Sequence, residues 1–209
     1  MRVTDIQDQK NNKQRVSVFV DNEYAFSLER EDLFFLKIKV GKELTQKDID
    51  ECIKECNFTK ARDKAFEILS RKPLSSFELI SKLTEKGYDE ETARDVKDEL
   101  TLLGYIDDEA YASLFLEHAL SKMWGRRKTE YEMKLKGLSK DIIDSVLENI
   151  DKENESEKMK DLILTKYRGE DLTDPKTKAK ITRYFASRGF DFTDIDKCIK
   201  EAIRERENE

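Results

Sequence analysis

The sequence predicts a mainly α fold, built as tandem three-helix repeats behind a small N-terminal β-hairpin region. Three observations carry that prediction. A cation-glycine-apolar step occurs as KGY at 86–88, KGL at 136–138 and RGF at 188–190, so its glycines stand 50 and 52 residues apart in a chain that has only seven. Hydrophobic residues make up 37% of the 209 and charged residues 41%, which suits narrow apolar seams between helices rather than one thick core, and so an elongated molecule. Two short runs of β-branched and aromatic residues stand near the N-terminus, separated by a pair suited to a tight turn.

Those runs are RVSVFV at 15–20 and EYAFSL at 23–28, and Asp21-Asn22 between them tolerates the left-handed backbone of a two-residue hairpin. RVTDIQ at 2–7 can add a third strand. The apolar segment 33–40 has no decisive period and ends at Gly41. Thr45 then caps a helix running to about Cys56, which closes an N-terminal segment of hairpin plus helix over 1–56.

From Thr59 onward the periodicity is helical. A helix ended by a left-handed glycine sets an apolar residue after the glycine against one earlier in its last turn. Leu83 with Tyr88, Leu100 with Tyr105, Met133 with Leu138 and Phe185 with Phe190 fit this at Gly87, Gly104, Gly137 and Gly189. Asp89, Ser139 and Asp191 follow two places after three of these glycines and can accept the free amides of a new helix. Lys86, Lys136 and Arg188 precede them and complement the helix dipole. Each step is therefore a stop and restart between helices.

The repeats take 57–106, 107–152 and 153–209. Their helices are expected at 59–71, 75–86 and 89–103, then 107–121, 126–136 and 139–150, then 155–168, 175–188 and 191–206. Ser75 with Glu78 forms a capping box, and Asp174-Pro175 is a strong start. Inward stripes run through Ala93, Val96 and Leu100, through Ile143, Val146 and Ile150, and through Ile195, Cys198 and Ala202.

Motifs for catalysis are lacking: no phosphate-binding glycine loop, no GxSxG and no HExxH. His118 is the single histidine. Cys52 and Cys56 share a helix face, but zinc wants about four ligands, and Cys198 and His118 lie in distant segments. Asp107, Asp108 and Glu109 read as a helix start rather than a magnesium site, and Tyr111 and Phe115 as core. No metal, cofactor or catalytic residue is expected. The start lacks the apolar stretch of a signal peptide and no run is long enough to span a membrane, so a cytoplasmic, soluble chain with reduced thiols is expected.

The net charge of −6 is spread evenly, which repels a nucleic-acid backbone and leaves such binding to local patches. Two patches exist. Residues 122–140 carry Lys122, Arg126, Arg127, Lys128, Lys134, Lys136 and Lys140, a local +5 around the lone Trp124. Residues 166–188 carry Lys166, Arg168, Lys176, Lys178, Lys180, Arg183 and Arg188, a local +4. These lie on equivalent second helices, and stacking would join them into one band. Trp124, Arg126, Arg127, Lys128, Lys134, Lys176, Lys178, Lys180 and Arg183 are the candidate partner-binding residues.

With the repeat laid out, the chain resembles the RecX family of RecA regulators. The matching residues are Ala61, Ala65, Leu69, Arg71, Ser76, Glu78-Leu79, Lys82-Leu83 and Lys86-Gly87-Tyr88, then Leu100, Gly104-Tyr105-Ile106-Asp107-Asp108, Tyr111-Ala112, Gly125 and Lys136-Gly137-Leu138. The match is dense from about 60 to 138 and looser in the third repeat. Thr129 replaces a usual apolar residue and Arg126 a frequent proline. The resemblance implies a curved array of three-helix units that lodges in the groove of the RecA filament on single-stranded DNA. It also implies a regulator that limits filament growth or promotes its disassembly, which lowers strand exchange, ATP hydrolysis and co-protease activity in DNA repair; a monomer is expected. The alternative is a direct nucleic-acid binder acting without RecA, since three-helix units resemble helix-turn-helix modules.

Overall fold

Alternation decides the N-terminal part. Val16, Val18, Phe26 and Leu28 are all within 3% of full burial, and they face one another across two strands as the pairs Val16 with Leu28 and Val18 with Phe26. In the computed structural model, which describes residues 1–10 and 12–208, these belong to an antiparallel sheet of β1 (Val3–Gln9), β2 (Asn12–Val20) and β3 (Glu23–Glu29) in that spatial order. Asp21 and Asn22 hold φ of 49° and 69°, the double left-handed turn that matches strand twist. The segment of uncertain period becomes α1 (Arg30–Phe35) followed by a loop with Lys37 at φ 51°.

The chain divides into two compact units, the first made of residues 1–73 and 79–106, the second of 74–78 and 107–209. In the first, a helix break near residue 57 is not found: α2 runs unbroken from Gln46 to Leu69. Thr45 caps it in a capping box with Asp48. Asn57-Phe58-Thr59 contains neither glycine nor proline, so nothing local interrupts the helix, and burial on both sides holds it straight through. Its first half sets Ile49, Cys52 and Cys56 on the sheet core. Its second half sets Ala61 and Ala65 against Leu79 and Leu83 of α3 (Ser76–Glu85) and Val96 and Leu100 of α4 (Glu90–Leu102).

The second unit holds two further three-helix bundles. α5 (Asp108–Ser121), α6 (Arg126–Leu135) and α7 (Lys140–Glu148) close around Met133, Ile143 and Leu147. α8 (Lys152–Lys166), α9 (Pro175–Ala186) and α10 (Phe192–Asn208) close around Ile163, Ile181, Phe185 and Ile195. α8 starts at Lys152 rather than 155, because Asp151 accepts the amides of Glu153 and Asn154.

Gly87, Gly104, Gly137 and Gly189 stand at φ between 72° and 93°. Each ends its helix with the same two bonds: the glycine amide to the carbonyl three back, and the next amide to the carbonyl five back, as Gly137 N–H to Lys134 and Leu138 N–H to Met133. α5 ends in this way without glycine, on Met123 at φ 53°.

Candidate interaction surface

Side chains that meet across the second unit do so at two joints built alike. At the first, Ser75 Oγ donates to the Lys136 carbonyl at 2.6 Å and Ser76 N–H to Asp108 at 2.8 Å. Glu78 accepts from Lys136 Nζ at 2.7 Å and from the Tyr111 hydroxyl at 2.8 Å. Burial raises the Glu78 pKa, but the hydrogen bonds from Lys136 and Tyr111 and the Lys136 charge outweigh it and hold the carboxyl below its usual range. Burial and then Glu78 push the Tyr111 phenol upward.

The second joint repeats the pattern one module on. Gly125 N–H donates to the Arg188 carbonyl at 2.8 Å and Arg127 N–H to the Gly189 carbonyl at 3.2 Å, while the Arg127 guanidinium pairs with Asp191 at 3.4 Å. In both joints the positive first turn of one second helix meets the negative last turn of the next, α3 on α6 and α6 on α9. The chains approach so closely that side chains are excluded. A Cβ on Gly137 would lie 2.3 Å from Cβ of Phe77, one on Gly189 2.3 Å from the amide nitrogen of Lys128, and one on Gly125 2.7 Å from that of Phe190.

The candidate binding residues divide around this geometry. Trp124, Arg126, Arg127 and Lys128 come together at the second joint. Lys128 Nζ lies 4.5 Å above the Trp124 ring, and the Arg126 guanidinium donates to the Leu147 carbonyl at 3.2 Å, at the end of α7. Phe115 and His118 flank Trp124, each with ring centroids 6.3 Å away. Lys134 pairs with Glu130, and Lys180 with Glu170. Lys176, Lys178 and Arg183 form no ion pair among the described residues, and Lys176 and Arg183 are exposed. Lys176 and Lys178 lie at the far end of α9, roughly 18 Å from the joint by helix rise. The cations therefore fall into three groups: those beside the joint, Lys134 and Lys180 paired with carboxylates of their own bundles, and Lys176, Lys178 and Arg183 with no ion pair among the described residues.

The groups weighed for chemistry take structural places. His118 is exposed on α5, and Asp107 accepts the amides of Glu109 and Ala110. Cys52, Cys56 and Cys198 are buried free thiols with pKa pushed up by burial, Cys56 to about 11. Among the described residues no cluster of three metal-ligating side chains occurs, and no helix is long and apolar enough to cross a membrane. Sequence reasoning treated Glu78 only as a helix cap and did not see its bonds to Tyr111 and Lys136. The one available signal was that Ser75 and Gly125, both small, each precede a turn glycine by 12 residues.

Four family models cover most of the chain: the regulatory protein RecX N-terminal domain at 1–45, then the first, second and third RecX three-helix domains at 61–100, 107–147 and 153–199. Regulatory protein RecX of Clostridium tetani is 30% identical over 97% of this chain and 94% of its own length, and that of a Clostridium botulinum strain 33% identical over 97% and 96%. A crystal structure of regulatory protein RecX shares the fold, with a TM-score of 0.72 at 24% identity over 98% of both chains. With both the bundles and their sequences matched along the chain, it belongs to the RecX family of regulatory proteins.

Proposed function

We infer that the chain is a non-catalytic, monomeric cytoplasmic regulator that binds the RecA filament on single-stranded DNA and limits its growth, lowering strand exchange, ATP hydrolysis and co-protease activity. Membership of the RecX family carries this reading. Within the candidate surface, Lys176, Lys178 and Arg183 are the contact residues of choice, since among the described residues they have no carboxylate partner to surrender on binding, Arg183 donating only to the Ala179 carbonyl at 3.3 Å. Arg127 instead holds the second joint through Gly189 and Asp191, while Arg126 and Lys128 brace its near side on Leu147 and Trp124, and their role is to set the angle at which the last two bundles are presented.

The test measures RecA's DNA-dependent ATPase with the chain and with a Lys176→Glu, Lys178→Glu double variant. Inhibition by the native chain and about tenfold weaker inhibition by the variant, at unchanged helicity, is the expected outcome. Equal inhibition removes those lysines from the contact. Binding to bare single-stranded DNA that equals binding to filaments and falls steeply with salt would replace the reading with direct nucleic-acid recognition.

A further inference from the structure

The two joints obey one rule: the step of cation and left-handed glycine that ends a second helix receives the first turn of the second helix before it. Lys136-Gly137 receives Ser75 to Glu78, and Arg188-Gly189 receives Gly125 to Lys128. The chain has a third copy of that step, Lys86-Gly87, with the same left-handed glycine at φ 93°. There, a Cβ would meet nothing within 4 Å, and both residues are exposed. Beside it opens a cleft of about 640 Å³ whose walls include Lys72, Lys82 and Lys86, none of them ion-paired among the described residues, next to the paired Lys64, Glu67 and Arg71.

We propose that Lys86-Gly87 is a docking point for the first turn of a helix of another protein, one that opens with serine, threonine or glycine and carries glutamate three positions on. The precedent fixes the chemistry. In the first joint a small hydroxyl residue bonds the carbonyl of the residue before the glycine, and the glutamate three positions later takes the ammonium of that same residue. Lys86 supplies the same carbonyl and the same ammonium, and the end of α3 offers its negative pole to the incoming amides. Glycine leaves room for a side chain like that of Phe77. A second copy of this chain is a poor occupant. Its second helix with a free start, α9, opens Asp-Pro-Lys-Thr-Lys and would bring Lys176 and Lys178 against Lys82 and Lys86.

The experiment titrates the full chain, without RecA or DNA, with a lactam-bridged helical peptide of residues 74–85 and follows backbone amides by NMR. Saturable shifts at Gly87 and Tyr88 are expected. Lys86→Glu in the chain, or Glu78→Lys in the peptide, weakens binding by about tenfold, and combining the two restores it to within about threefold. No saturable shift at millimolar peptide, shifts at Gly137 instead, or failure of the combined swap to restore binding overturns the proposal. Concentration-dependent association of the chain alone that Lys86→Glu abolishes also overturns it, by giving the face to a second copy. Because no RecA is present, none of these outcomes bears on the filament reading.

Discussion

Gly87→Ala and Gly137→Ala place the same methyl group on the same left-handed backbone in two different surroundings. Both glycines have positive φ, 93° and 72°, so each substitution costs about 1–2 kcal/mol from the crowding of Cβ against the following carbonyl. At Gly87 nothing further opposes it. At Gly137 the methyl carbon would sit 2.3 Å from Cβ and 2.4 Å from Cγ of Phe77, and relieving that overlap by shifting the 74–78 turn against the end of α6 costs about 1–3 kcal/mol more. Gly87→Ala should therefore lose about 1–2 kcal/mol and Gly137→Ala about 2–5 kcal/mol. Urea unfolding followed by far-ultraviolet circular dichroism, together with the fluorescence of the lone Trp124 in the second unit, separates the two. In a chain of this size each kcal/mol moves the melting temperature by about 2–4 °C, so the difference lies well outside error. Equal losses at the two positions would show that the close approach of Gly137 to Phe77 does not bear on stability.

Two other expectations follow from the same contacts. Glu78 titrates below its usual value in the folded chain, so its contribution is complete above the unfolded pKa and disappears as pH falls through the depressed folded one. Glu78→Gln should cost about 1–3 kcal/mol at neutral pH and flatten the acid limb of a stability profile, and an unchanged acid limb would remove the Lys136 and Tyr111 bonds from the account. The three cysteines, buried and with raised pKa, should react with a disulfide reagent at neutral pH only as fast as the chain opens. Immediate stoichiometric labelling of any of them in the folded chain would contradict their burial.

What the sequence made legible was whatever is written within a turn or two of itself. The glycine steps, their apolar clasps and the hairpin at Asp21-Asn22 each depend on residues no more than about five apart, and the observed bonds of those turns are of that span. Continuity of α2 was missed because Asn57-Phe58-Thr59 is merely weak in helix propensity, and tertiary burial overrides a weak preference. The joints were invisible for another reason. Glu78 finds Lys136 from 58 positions away and Tyr111 from 33, and no local pattern marks such a pair. Counting charge along the chain likewise joined cations that the fold separates: Arg127, Lys134 and Lys180 have carboxylate partners, whereas among the described residues Lys176 and Lys178 have none.

The unbroken α2 has a consequence for how the chain leaves the ribosome. The sheet is synthesised first, yet the lid for its greasy side is Ile49, Cys52 and Cys56, and the same rod ends in Ala61 and Ala65, which wait for Val96 and Leu100. The sheet and its lid are complete once residue 56 has emerged, whereas the continuation of the same rod keeps Ala61 and Ala65 bare until Val96 and Leu100 follow, when about half of the polypeptide is out. Chaperone capture and pulse proteolysis on stalled chains should detect this delay as protection of the sheet that precedes protection of residues 58–69.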